Sequence, residues 1–202
     1  MLPPEERFAR IGMIARWRPP HRGHAAVLRA LCSRAGETLI GIGSSNRYNA
    51  RNPFTLDETT DMLRLLLDGY SNSRLIPVPD LDDGPRWRLL IMDLFGPLDL
   101  FVTDNPYVAS LLADDYRIVR PVGLVPPEAR LPVDGTLVRR EMARGEGWRG
   151  LVPDFIETYI TGKQLDLRFR REFGLQTLAL ETVVSSPVSA SHPTIKDSPG
   201  KR

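Results

Sequence analysis

Apolar residues fall along this chain in two alternating rhythms. Short continuous runs, such as Ile11–Arg16 (IGMIAR) and Thr38–Gly43 (TLIGIG), alternate with stretches whose apolar positions recur every three or four residues. The first kind reads as strands buried on both faces, the second as amphipathic helices. A helix over Gly23–Ala35 carries Val27, Leu28, Leu31 and Cys32 on one face, and Gly36 supplies its stop. Thr55-Leu-Asp-Glu58 spells a capping box, with Glu58 three residues after the cap. The helix it opens has Leu56, Met62, Leu63, Leu66 and Leu67 as its apolar stripe and ends at Gly69. Leu75–Pro79 predicts a third strand, Pro85–Leu94 a helix, Leu98–Thr103 a fourth strand, Pro106–Asp114 a helix and Tyr116–Arg120 a fifth strand.

Farther on, Gly135–Arg144 and Val152–Thr161 read as short helices. Leu165–Thr182 fits helix or strand, and its basic knot of Arg168, Arg170 and Arg171 reads as a solvated face. Ser185–Arg202, rich in Ser, Pro and Lys, has too little to bury and is expected to be disordered. No internal repeat is present. The alternation as a whole predicts an α/β protein, a doubly wound five-stranded parallel sheet followed by C-terminal helices. The expected division is a main domain over 8–162, an appendage over 163–184 and the tail over 185–202. Ligands of such sheets bind beyond the carboxyl ends of the strands, at the switch point of strand order. His21 and His24 follow the first predicted strand, Gly43-Ser44-Ser45 the second, Asp80 the third and Asn105 the fourth.

Composition narrows the class of partner. The 202 residues suit one domain, and 27 Lys and Arg against 25 Asp and Glu leave a net charge of +2, too balanced for a nucleic-acid stripe. A single Cys forms no internal disulfide and fits a reducing compartment. No apolar run approaches a membrane span, and MLPPEERFAR has no apolar signal core. The expectation is a soluble cytoplasmic protein with neither membrane nor nucleic acid as partner.

The most informative segment is His21-Arg22-Gly23-His24. It lies between a strand and a helix, where unpaired backbone N–H groups and the positive end of the helix dipole make an anion cradle. The two imidazoles are three residues apart and reach one side of the first turn. Gly23 lets a ligand approach the backbone. The same spacing occurs in metal pairs, but zinc needs three or four ligands, and the third His of the chain, His192, lies in the tail. No protein-held metal is expected.

Ala15-Arg-Trp-Arg-Pro-Pro-His21-Arg-Gly-His24 resembles the GRFQPxHxGH signature of the nucleotidyltransferases. Gly41-Ile-Gly-Ser44, Asn52-Pro-Phe-Thr55 with Glu58, Asn105-Pro106, Gly135-Thr-Leu-Val-Arg-Arg-Glu-Met142 and Gly147-Trp-Arg-Gly-Leu-Val-Pro153 follow in order. Together, over residues 11 to 161, they resemble the archaeal-type nicotinamide-mononucleotide adenylyltransferases, whose fold is Rossmann-like. The resemblance implies transfer of AMP from ATP to nicotinamide mononucleotide, giving NAD and pyrophosphate, with Mg²⁺ accompanying ATP. It implies catalytic roles for His21, His24, Arg16 and Arg139. It further implies ATP contacts from Arg16, Trp17, Gly23, His24, Asn105, Thr136, Arg139 and Arg140, and acceptor contacts from Ser44, Asp80 and Trp87. A homo-oligomer is also implied. Chemically this is coherent: phosphoryl transfer needs positioning and cationic stabilisation, not a protein nucleophile. Either His could also carry charge beside phosphate. The alternative for Trp87 is a helix residue covering the sheet, and Asn105 also reads as the cap of the helix that Pro106 starts. Thr55 and Glu58 are already explained by the capping box.

Four residues depart from the family pattern. Ala15 stands for its Gly, Arg18 for its Gln, Asp104 for a Gly and Asp134 for a Ser. Asp134 matters most, because a carboxylate near a triphosphate repels it unless it turns away as a helix N-cap. Competing readings keep the same residues but take another nucleotide or phosphorylated acceptor, or make the chain a nucleotide sensor with weakened turnover.

Overall fold

The computed structural model describes residues 3 and 6–184; the tail over 185–202, and His192 with it, lies outside them. The elements are β1 (Phe8–Ala15), α1 (Arg22–Cys32), β2 (Ala35–Ile42), α2 (Leu56–Leu66), β3 (Ser73–Pro77), α3 (Gly84–Phe95), β4 (Leu100–Val102), α4 (Pro106–Leu112) and β5 (Ile118–Val119), then α5 (Gly135–Arg144), α6 (Asp154–Gly162), α7 (Leu165–Phe169) and α8 (Leu175–Val184). All five strands run parallel, in the order β3-β2-β1-β4-β5. The order reverses beside β1, so the switch point opens at the carboxyl end of that strand.

Period-two alternation along the strands divides the core. Ile11, Met13, Ile40, Ile42, Leu100 and Val102 face one way, onto Leu28 and Leu31 of α1 and Leu63 of α2. Leu39, Ile76 and Phe101 face the other way, onto Ile91 and Phe95 of α3 and Leu112 of α4. On that second face Gly12 and Gly41 are backbone floor for Phe95. A Cβ would meet its ring at 3.0 Å from either position. A third cluster lies outside the sheet, where α5, α6 and α7 close over Met62 and Phe54 through Met142, Trp148, Ile156, Ile160 and Phe169.

One sequence expectation changes and one open alternative closes. The first two strands begin three residues earlier than their apolar runs, because the polar pair Arg10 and Glu37 bonds across the strands (Nε to Oε2, 2.8 Å). Gly36 therefore lies inside β2, with its Cα facing Ala9 closely enough that a Cβ would stand 3.1 Å from the Ala9 carbonyl oxygen; α1 ends earlier, at the Ser33 cap. The segment 165–182 is helical throughout, α7 running through a π turn at Arg170–Gly174 into α8. Among the described residues no helix is long and apolar enough to cross a membrane.

Candidate active site

The carboxyl ends of the strands open into a cleft of about 870 Å³. Arg16, Trp17, His21, Gly23, His24, Ser44, Asp80, Trp87, Asn105, Thr136 and Arg139 all line it, so one cavity gathers the residues singled out in the sequence except Arg140. Arg140 pairs instead with its neighbour Glu141.

At the start of α1 the two histidines cap the helix reciprocally. The His24 backbone N–H donates to His21 Nδ1 (3.3 Å), and the His21 backbone N–H donates to His24 Nδ1 (3.4 Å). This is a capping box with imidazoles in place of the usual Ser and Glu. The rings stack, with centroids 3.6 Å apart, and Trp17 lies against His24 at 4.6 Å. An imidazole nitrogen that accepts a backbone N–H is unprotonated, so in each neutral ring Nε2 carries the proton and remains a donor. Burial pushes His21 down to about 4 despite nearby Asp134, and pushes His24 well below its usual range, with His21 adding to the effect. Both rings are therefore neutral at pH 7 before any anion binds, which revises the expectation of a charged His. Gly23 serves the pair as well. A Cβ there would stand 3.2 Å from the His21 ring and 3.3 Å from Val133.

Positive charge comes from arginines. Arg139 is buried, donates to the Arg18 carbonyl oxygen (3.0 Å) and reaches Thr136 Oγ1 (3.3 Å). Burial and the neighbouring Arg16 and Arg51 bring Arg139 down to about 10, so it stays charged at pH 7. Arg16 and Arg51 also line the cleft, and neither side chain makes a hydrogen bond or ion pair among the described residues. Arg51 was not among the residues picked from the sequence, since a lone Arg in a loop has no local signature.

Asp134 is the N-cap of α5. Its Oδ1 accepts from the backbone N–H groups of Thr136 (2.7 Å) and Leu137 (2.8 Å). The carboxylate thus occupies the donors of that helix start. Asn105 likewise caps α4, accepting from Tyr107 N (3.0 Å), while its residue still faces the cleft.

At the other end of the cleft, Trp87 is half-buried on α3, packed against the sheet and lining the cavity. The Asp80 backbone exchanges two 2.9 Å hydrogen bonds with the Asn46 side chain, and its carboxylate lies 3.7 Å from Arg47 Nε. Arg18, buried where the family pattern has Gln, donates to the carbonyl oxygens of Ser44 (3.0 Å) and Arg47 (3.1 Å). Trp17 and Ser44 are both in the left-handed region (φ 56° and 53°), at the ends of β1 and β2. Such side-chain-bearing residues are uncommon there and cost of order 1 kcal/mol or more each. Both residues line the cleft. The cleft carboxylates are all engaged, Asp134 in capping, Asp80 beside Arg47 and Asp104 with Arg120 (2.6 Å). Among the described residues no group of three His, Cys, Asp or Glu could hold a metal.

No protein-family model matches the chain. A nicotinamide-nucleotide adenylyltransferase of Methanococcus vannielii is 31% identical over 144 residues, which cover 70% of this chain and 82% of the relative. One from Pyrococcus furiosus is 32% identical over 154 residues, covering 73% and 80%. A solved bifunctional NMN adenylyltransferase/ADP ribose pyrophosphatase of Francisella tularensis, complexed with AMP and a manganese ion, superposes with a TM-score of 0.65 over 89% of this chain at 14% identity. This chain spans 57% of that longer protein, and at such identity the likeness speaks for the fold. With two relatives above 30% identity aligned over at least 80% of their own length, the chain belongs to the nicotinamide-nucleotide adenylyltransferase family.

Proposed function

We propose that the cleft transfers AMP from ATP to nicotinamide mononucleotide, releasing pyrophosphate and forming NAD. An oxygen of the acceptor's phosphate attacks the α-phosphorus in line. The new P–O bond forms as the bond to the bridging α–β oxygen breaks, and pyrophosphate departs with that oxygen's electron pair. No protein nucleophile is required, so what the chain supplies is position and charge complementarity.

The observation that carries this reading is the reciprocal histidine cap. It leaves two neutral Nε2–H donors side by side at a helix N-terminus, held by backbone bonds before substrate arrives. Preorganised donors of this kind cost no reorganisation when charge builds on the transferring phosphoryl group. Arg139, with Arg16 beside it, supplies the cations for the β- and γ-phosphates. Mg²⁺ travels with ATP, because the cleft carboxylates are already engaged; when bound it neutralises the triphosphate. Trp87 offers an aromatic face to the cationic nicotinamide ring, and Asp80 positions the mononucleotide.

The test is NAD formation from ATP, Mg²⁺ and nicotinamide mononucleotide, read by a coupled dehydrogenase beside a panel of other nucleoside triphosphates and phosphorylated acceptors. NAD formation with ATP preferred is expected. Pyrophosphate release with a different pair and none with this one would overturn the assignment.

A further inference from the structure

The loop that leaves β2, residues 44–53, is held from two sides. On its inner side the Arg18 guanidinium bonds the Ser44 and Arg47 carbonyl oxygens, and Asn46 carries the Asp80 backbone. On its outer side it meets the C-terminal helices. Arg168 of α7 forks onto Glu58 with two short bonds (2.6 and 2.7 Å) and continues to the Pro53 carbonyl oxygen (3.2 Å). The same guanidinium lies 5.8 Å from the Tyr48 ring. The Tyr48 hydroxyl donates to Glu172 Oε2 (2.5 Å), and its ring meets Phe173 edge-on at 5.3 Å. The expectation of a solvated basic face at 168–171 therefore fails for Arg168, which is engaged with carboxylate, carbonyl and ring together.

We infer that Arg168 is a positioning residue for the acceptor: through Glu58, Pro53 and Tyr48 it fixes the loop whose Asn46 sets Asp80 in the cleft. Packing alone does not ask for this arrangement. The apolar seam of α7 is already filled by Leu165 and Phe169, both buried in the third cluster. What Arg168 adds is directional. A planar fork on a carboxylate fixes angle as well as distance, which an ammonium does not. The triphosphate side has holds of its own: Arg139 bonds the Arg18 carbonyl oxygen and Thr136, and the histidines cap α1, whereas the loop approaches that side through Arg51, whose side chain makes no hydrogen bond among the described residues. Loosening the loop should therefore be felt at the acceptor.

The inference rests on the proposed acceptor, and the test separates the two. In the NAD-forming assay, Arg168→Ala should raise the KM for nicotinamide mononucleotide about tenfold, the loss of roughly one well-made hydrogen bond. The KM for ATP should stay within about twofold. Arg168→Lys, which keeps the charge and loses the fork, should fall between. Ile160→Val serves as a packing control in the same cluster, lowering the melting temperature with both KM values unchanged. An acceptor KM that Arg168→Ala leaves at the wild-type value, or two KM values that rise together, would overturn the inference while NAD formation by the wild type upholds the reaction. A wild type that makes no NAD would overturn the acceptor assignment, and this inference with it.

Discussion

Two helices begin at the same cleft and are capped in opposite ways. The start of α1 is closed by neutral imidazoles, with no acidic residue in its first turn. The start of α5 is closed by the Asp134 carboxylate, which takes two backbone N–H groups for itself. Both ends have the same dipole and the same surplus of donors. At α1 the partial positive charge is left for a ligand, whereas at α5 it is already answered from within the chain. A helix N-terminus is thus an anion site only so long as its own cap is uncharged. At α5 the positive charge that faces the cleft belongs instead to the side chain of Arg139, one turn farther on.

The largest test of this contrast removes the donor at the neutral cap. His24→Ala should lower turnover by about two orders of magnitude or more, the scale of losing a preorganised transition-state donor. Single-turnover NAD formation measures it, and near-normal turnover would take His24 out of the chemistry. Next comes acid. His21 is held neutral down to about 4 when folded, whereas the free group titrates at 6.5. Because the unfolded chain binds the proton first, stability falls as pH drops below 6.5 and the loss saturates near 4. By pH 5 His21 alone should cost about 2 kcal/mol. Denaturant midpoints between pH 7.5 and 5 check this. His21→Asn, a cap that does not titrate, should flatten the slope, and an unchanged slope would show that other groups govern it. The smallest effect belongs to the charged cap. Asp134→Ser keeps a capping oxygen but loses the charge at the dipole, costing about 0.5 kcal/mol. The KM for ATP should barely change, since the carboxylate is turned into the helix. A large gain in ATP affinity would mean that Asp134 faces the triphosphate after all.

Most of the scaffold could be read from sequence because its determinants are local. Thr55 and Glu58 form the box their spacing spells, Asn105 caps the helix that Pro106 opens, and Cys32 is buried with Leu28 and Leu31. The strand starts were misread because Arg10 and Glu37 satisfy each other across β1 and β2, a partnership that no single run of residues displays. The cleft was legible where its residues sit at strand ends: His21, Ser44, Asp80 and Asn105 all open into it. Arg51 and Arg168 escaped for a different reason. Their neighbours are distant in sequence, Arg168 meeting Glu58 across 110 residues. Arg140 was chosen for lying beside Arg139, yet successive helical residues point about 100° apart, and one of them faces Glu141.

The crossed bonds between the histidine rings and their backbones have one more consequence, for how this corner of the protein can evolve. On the proposed reaction each imidazole holds two offices, as a peg that starts a helix and as a hand held out to a guest. A replacement acceptable for the first office, such as Asn, forfeits much of the second, and one chosen for its reach or charge unpicks the first turn. Drift at these two positions is consequently judged by two examiners at once, and a route to a new substrate runs more readily through the loops around the cleft than through the pair itself.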